Sequence, residues 1–239
     1  MKNSTQLMSG KAKVMGVMLV AAMAFTSCLK DRSDDNVPQT PAALVSVINA
    51  SPGSSSVDFY LDQNRASVYS IPYGNGQDYV RAYTGKRTFK FTTEGGIQTL
   101  KSDTLTLQAN KFYTAYLANT STAPDLVIVR DTIVQPAANS ATIRLVNVSA
   151  NAPAVDLAVT GGAVIATNRA YKQASPFKTV AGGTSYNLEI RQAGTTTVLT
   201  TLTGANLNSG SVYTVWLQGV NGATDGTKLT AKIQKNAYY

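Results

Sequence analysis

One internal echo constrains this 239-residue chain more than any other feature. Asn49 to Tyr60 reads NASPGSSSVDFY, and Asn147 to Ala158 reads NVSANAPAVDLA. Both carry Asn-x-Ser followed by Val-Asp, at a spacing of 98 residues. Tyr73 and Tyr171, and Gly85 and Gly183, keep the same spacing. Further on, FYTAYL (Phe112 to Leu117) and VYTVWL (Val212 to Leu217) stand 100 residues apart. A period this long implies a tandem of whole domains, not a solenoid of small units. Copies of about 90–95 residues are each large enough for a small core, burying roughly 60–65% of their unfolded surface.

The apolar period from Leu44 onward is two, which argues for strands. In the first copy they are predicted near 44–49, 57–62, 66–70, 78–82, 86–92, 102–107, 112–118 and 126–131. In the second they fall near 142–148, 154–160, 163–166, 177–180, 185–191, 197–202, 212–218 and 228–234. Many short strands at regular spacing predict an all-β chain of two β-sandwiches, immunoglobulin-like or transthyretin-like. The domains expected are 43–133 and 142–239, joined by a linker at 134–141. Leu207-x-x-Gly210-x-x-Tyr213-x-Val215 has the spacing of a tyrosine corner, and Leu107, Asn110, Tyr113 and Ala115 repeat it. Tyr113 and Tyr213 are therefore read as structural. Asn110 can replace a glycine there because Asn tolerates positive φ.

The first residues follow a different logic. Lys2, Lys11 and Lys13 precede the apolar run Val14–Phe25, which is too short to span a bilayer and fits a secretory signal over residues 1–27. Thr26 and Ser27 lead into Cys28, the chain's single cysteine. That exit resembles the lipobox of bacterial lipoproteins, with Phe25 in place of the usual Leu. Cys28 is expected to carry the acyl chains that hold the protein on a membrane. Residues 28–42 form a flexible tether with little apolar content. Asp31, Asp34 and Asp35 resemble the surface-export signal of Bacteroidetes-like lipoproteins. The expected address is the cell envelope, as an outer-membrane lipoprotein on its periplasmic face or at the cell surface.

The second copy reads TVAGGTSYNLEIRQAGTTTVL and then NLNSGSVYTVWLQG. With the paired Asn-x-Ser and Val-Asp stretches, it is similar to the family catalogued as domain of unknown function 4397. The resemblance spans both copies, although AYTGKRTFKF in the first departs from the family's Ala-Gly-Thr-Tyr run. It implies an exported, often lipid-anchored β-domain, frequently in tandem, and brings no catalytic residues.

The chemistry-bearing residues are sparse. The chain has no His and only two Glu, Glu94 and Glu189. This removes Ser-His-Asp, Cys-His and the usual zinc sites, and no cofactor or metal is expected. Loss of the leader leaves 18 basic against 13 acidic side chains with no basic run, so nucleic acid is a poor partner. Asn49, Ser51 and Asp58, with Asn147, Ser149 and Asp156, offer one carboxylate per copy, too few for Ca²⁺. They are read as organisers of the loop between the first two strands, Asp58 and Asp156 bonding its backbone N–H groups.

Val68 to Tyr83 reads VYSIPYGNGQDYVRAY. Tyr69 and Tyr83 lack aromatic counterparts in the second copy and are the candidate glycan-stacking residues, with Arg65 and Arg81 for acidic groups. Asp103-Thr104-Leu105 and Asp131-Thr132-Ile133 resemble O-glycosylation acceptors, which makes Thr104 and Thr132 candidate modification sites. The expectation is a non-catalytic surface module for glycan or matrix. The alternative is an adhesin-like protein contact, with an exposed apolar patch or an unpaired edge strand. An enzyme would need carboxylates converging in a cleft.

Overall fold

A computed structural model describes residues 40–239, which form one compact unit. The leader, the tether up to Gln39 and Cys28 lie outside the described residues. Sixteen strands build four sheets of four strands each. The first half contains β1 (Ala42–Asn49), β2 (Val57–Leu61), β3 (Asn64–Arg65), β4 (Gly76–Tyr83), β5 (Gly85–Thr93), β6 (Thr99–Leu107), β7 (Phe112–Ala118) and β8 (Asp125–Asp131). The second contains β9 (Ser140–Asn147), β10 (Val155–Val159), β11 (Val164–Arg169), β12 (Lys178–Ala181), β13 (Thr184–Gln192), β14 (Val198–Leu207), β15 (Ser211–Gln218) and β16 (Thr230–Tyr238).

In the first half the sheet order is β4-β1-β7-β8 against β3-β2-β5-β6. The second half repeats it as β12-β9-β15-β16 against β11-β10-β13-β14. In each half the first strand runs parallel to the seventh, with Val45 opposite Tyr113 and Ile143 opposite Tyr213. An immunoglobulin sandwich keeps its first two strands in one sheet. Here β1 and β2 lie in different sheets, as do β9 and β10, so of the two expected sandwich types the transthyretin-like one remains.

The predicted strand at 66–70 does not form. The third strand is the two-residue β3, and Ala66–Ser70 runs irregularly. Side chains take the hydrogen bonds a ladder would need: the Ser67 hydroxyl accepts the Phe59 N–H at 3.0 Å, and Gln77 Oε1 accepts the Val68 N–H at 2.6 Å. Local polar side chains compete with sheet pairing in this way.

Each half has its own apolar core. Val45, Val57, Phe59, Phe89, Phe91 and Leu117 centre the first, and Leu145, Val155, Leu157, Leu188, Ile190 and Val215 the second. The tyrosine hydroxyls close the ends of these cores: Tyr113 accepts the Gln108 N–H at 3.2 Å, and Tyr213 the Asn208 N–H at 3.0 Å. The turns behind them need a left-handed residue, supplied by Asn110 at φ 58° and Gly210 at φ 73°. A Cβ on Gly210 would stand 2.7 Å from the Tyr239 carbonyl oxygen.

A third cluster joins the halves. Ile48, Tyr116, Val127 and Val129 of the first pack against Val146, Val148 and Trp216 of the second. The β4-β1-β7-β8 and β12-β9-β15-β16 sheets therefore lie face to face, each covering the side that its own core leaves bare. All eight residues of β15 are buried. Strands covered on both faces lose strict alternation and read as nearly continuous apolar runs; FYTAYL and VYTVWL are such runs.

Candidate functional site

Three of the four candidate glycan residues meet at one place. The edges of β3 and β4 leave a groove of about 310 Å³ lined by Asp62, Arg65, Arg81, Tyr83 and Arg87 with an apolar floor at Leu61 and Ala82. Tyr83 pairs with Ala42 where β1 begins, and the residue is 68% exposed. Arg87 fixes this rim. Its Nε donates to the Tyr83 carbonyl at 3.0 Å, its Nη1 to Asp62 at 3.0 Å, and its guanidinium carbon lies 5.8 Å from the centre of the Tyr83 ring. Asp62 takes φ 57° at the β2–β3 turn and also accepts the Thr88 N–H at 2.8 Å. That N–H, joined by Arg87 against some burial, holds the Asp62 carboxyl below its ordinary value.

Arg65 is partly committed, donating to Asp58 at 2.7 Å. Arg81 is exposed and has no acceptor among the described residues. Tyr69 does not join them. It is 48% exposed, and its hydroxyl donates to the Gly76 carbonyl at 2.8 Å. The sequence reading missed Arg87 and Asp62 as parts of this groove. Arg87 stands in the segment AYTGKRTFKF, where the first copy leaves the repeat pattern.

The loop residues are buried and bonded. Asn49 Oδ1 accepts the Ser51 N–H at 3.2 Å, and Asn147 Oδ1 the Ser149 N–H at 3.1 Å. Asn49 Nδ2 reaches the Ile71 carbonyl at 3.1 Å, and Asn147 Nδ2 the Arg169 carbonyl at 3.1 Å. The Ser149 hydroxyl donates to the Gly219 carbonyl at 2.7 Å, whereas the buried Ser51 hydroxyl has no protein partner. The two aspartates act at longer range than expected. Asp58 takes the Gly95 N–H at 2.9 Å besides Arg65 and Ser70, and Asp156 takes the Asn168 and Gly194 N–H groups at 2.6 and 3.0 Å. Gly95 and Gly194 lie in the turns of the β5–β6 and β13–β14 hairpins, so each carboxylate ties its strand to a distant turn and not to the adjoining loop.

Where the halves face each other, a polar chain runs beside the apolar cluster. Arg144 is 2% exposed and pairs with Asp131, itself 4% exposed. Asp131 also accepts from the Tyr79 hydroxyl at 2.6 Å and the Thr114 hydroxyl at 2.7 Å. Arg144 Nε donates to Thr214 at 2.9 Å, which donates to Asn236 at 2.6 Å. Burial pushes the Tyr79 phenol well up, and the Asp131 charge adds to it. Thr104 is exposed on β6, and Thr132 is exposed just past β8.

No curated protein matches the chain. Three solved structures are similar at low identity. One is a family CBM26 module from Eubacterium rectale Amy13K in complex with maltoheptaose, at 11% identity over 81% of this chain and 97% of that one, TM-score 0.28. The second is a streptococcal virulence factor described for alpha-glucan binding, at 8% identity over 77% and 95%, TM-score 0.23. The third is described as a candidate cell adhesion protein from Bacteroides fragilis, at 9% identity over 83% and 98%, TM-score 0.21. The family model described as Domain of unknown function (DUF4397) matches residues 43–158, from β1 through most of β10. Residues 43–158 of the chain belong to the DUF4397 family.

Proposed function

We propose that the protein is a non-catalytic lipoprotein of the outer membrane, held by acyl chains on Cys28, that binds an acidic glycan in the groove around Tyr83. One observation carries this reading: among the described residues Arg81 has no acceptor, and it stands beside an exposed aromatic face whose rim Arg87 and Asp62 hold in place. A sugar ring has an apolar face to stack on Tyr83, and a uronate or sulfate group has a partner in Arg81. The groove holds one carboxylate, Asp62, already engaged, and Glu189 is paired with Arg191 at 2.7 Å.

The test is binding of the full chain to immobilised acidic and neutral oligosaccharides. Acidic ones should be retained, and Arg81→Ala and Tyr83→Ala should each weaken retention about tenfold, the effect of roughly 1.4 kcal/mol. Equal retention by the Arg81→Ala/Tyr83→Ala double variant would rule the groove out. The adhesin-like alternative has its own support in β14, an edge strand of ten residues without a charged side chain. An unblunted edge is open to strand addition. Thr201→Pro should abolish such a contact and spare glycan binding, and a pull-down that Thr201→Pro leaves intact would dismiss it.

A further inference from the structure

A second concavity lies between the halves, beneath the connection 132–139. It encloses about 580 Å³, and Arg130, Thr132, Thr142, Arg144, Phe177 and Thr179 line it. Its position follows from the face-to-face sheets: β8 and β9 diverge there, and the connection with the buried Pro136 roofs the gap. Thr142 and Thr179 are cross-strand partners on β9 and β12, and neither hydroxyl has a protein partner among the described residues. Arg144 follows Thr142 on the same face of β9.

The guanidinium of Arg144 is the unusual element. Its Nε and Nη2 are bonded to Thr214 and Asp131, and the Phe177 ring covers its face at 4.6 Å. Its Nη1 meets no protein acceptor among the described residues and opens on the cleft, while the rest of the side chain is buried. Water in the cleft can fill that edge of an otherwise buried cation, and an anion that displaces the water gains a charge-assisted hydrogen bond. The lining contains no carboxylate, and Arg130 adds a second positive charge at the mouth.

We propose that this cleft is an anion site. It takes a carboxylate or sulfate borne on a small polar body, with the oxyanion on Arg144 Nη1 and the body against Thr142, Thr179 and Pro176. The volume suits a monosaccharide-sized ligand, and the one free guanidinium nitrogen gives a carboxylate or sulfate oxygen a charge-assisted hydrogen bond. This site is separate from the groove at Tyr83 and does not depend on what the groove binds.

The test is an amide NMR titration of the full chain with glucuronate, sulfate and glucose at constant ionic strength. Glucuronate should shift the amides of Thr142, Arg144, Phe177 and Thr179 with a dissociation constant near about 1 mM, and glucose should not. Arg130→Gln should weaken that response several-fold. Thr179→Trp, which fills the cleft from an exposed position, should abolish it while the remaining spectrum keeps its dispersion. Sulfate binding as tightly as glucuronate upholds the anion site and identifies a free oxyanion as its ligand; glucuronate alone identifies a sugar acid. Shifts confined to the groove around Tyr83, equal shifts with glucose, or an unchanged response in Thr179→Trp would overturn the proposal.

Discussion

Removing the carboxylate of Asp131 tests how the halves are held together. In Asp131→Ala the Arg144 guanidinium loses its charged partner, while the Tyr79 and Thr114 hydroxyls lose their acceptor. Stripping one partner from a buried ion pair costs about 3–5 kcal/mol. Arg144 keeps Thr214 and has one edge toward the cleft, where water can reach it, so the lower end applies, about 3 kcal/mol. In a 200-residue unit this lowers the thermal midpoint by roughly 6–12 °C, at about 2–4 °C per kcal/mol. Urea unfolding supplies the free energy independently. The double variant Asp131→Leu/Arg144→Met removes both charges and should return to within about 1 kcal/mol of the parent, since apolar pairs often replace buried ion pairs without loss. A cost below about 1 kcal/mol for Asp131→Ala would show that water already compensates the pair, and the reasoning would fail.

Tyr213→Phe should cost about 1 kcal/mol, one net hydrogen bond to the Asn208 N–H, and urea unfolding with an unchanged midpoint would remove the corner from the account. Acid should weaken the fold through three aspartates. The Thr88 N–H lowers Asp62; burial raises Asp125 but Lys172, the Leu126 N–H and Tyr171 outweigh it; the Thr227 hydroxyl and N–H lower Asp225. Each folded pKa lies below the ordinary 3.8, so their contribution is present above that value and is lost as pH falls below it. Asp125→Asn should flatten that loss in an acid titration followed by circular dichroism. Alkali should act at the junction, because burial raises the phenols of Tyr73, Tyr79, Tyr116 and Tyr171. Stability is complete below their ordinary 10.0 and declines above it, and Tyr116→Phe should lessen the decline.

The strand content and the duplication were legible because both are periodic. Val57-Asp58 and Val155-Asp156 open equivalent strands, and the Leu-x-x-Gly/Asn-x-x-Tyr spacing marks the turn whose left-handed residue the structure shows at Asn110 and Gly210. The third strand was not legible. Whether 66–70 pairs or runs free depends on Gln77, nine residues away, reaching back to Val68. The groove was half legible: Arg65, Arg81 and Tyr83 converge, but Tyr69 is turned to Gly76, which depends on the path of the 72–76 turn. The junction was announced only by the lost alternation in FYTAYL and VYTVWL. A buried Arg looks like any surface Arg in sequence, so Arg144 gave no sign of its place; its repeat partner, Ser46, bonds instead to Gln234 and the Gln77 carbonyl.

The facing sheets have an arithmetic consequence. Ser46 and Arg144, Thr114 and Thr214, Ile48 and Val146, and Tyr116 and Trp216 occupy matching rungs of the parallel ladders, and all but the threonine pair differ between the copies. The pair resembles a homodimer fused into one polypeptide and then allowed to become lopsided. A short flexible tie between such partners sets a local concentration on the order of millimolar. Dilution, which dissociates an ordinary dimer, leaves this one assembled, so even a weakened contact at Trp216 persists at the lowest copy number in a cell.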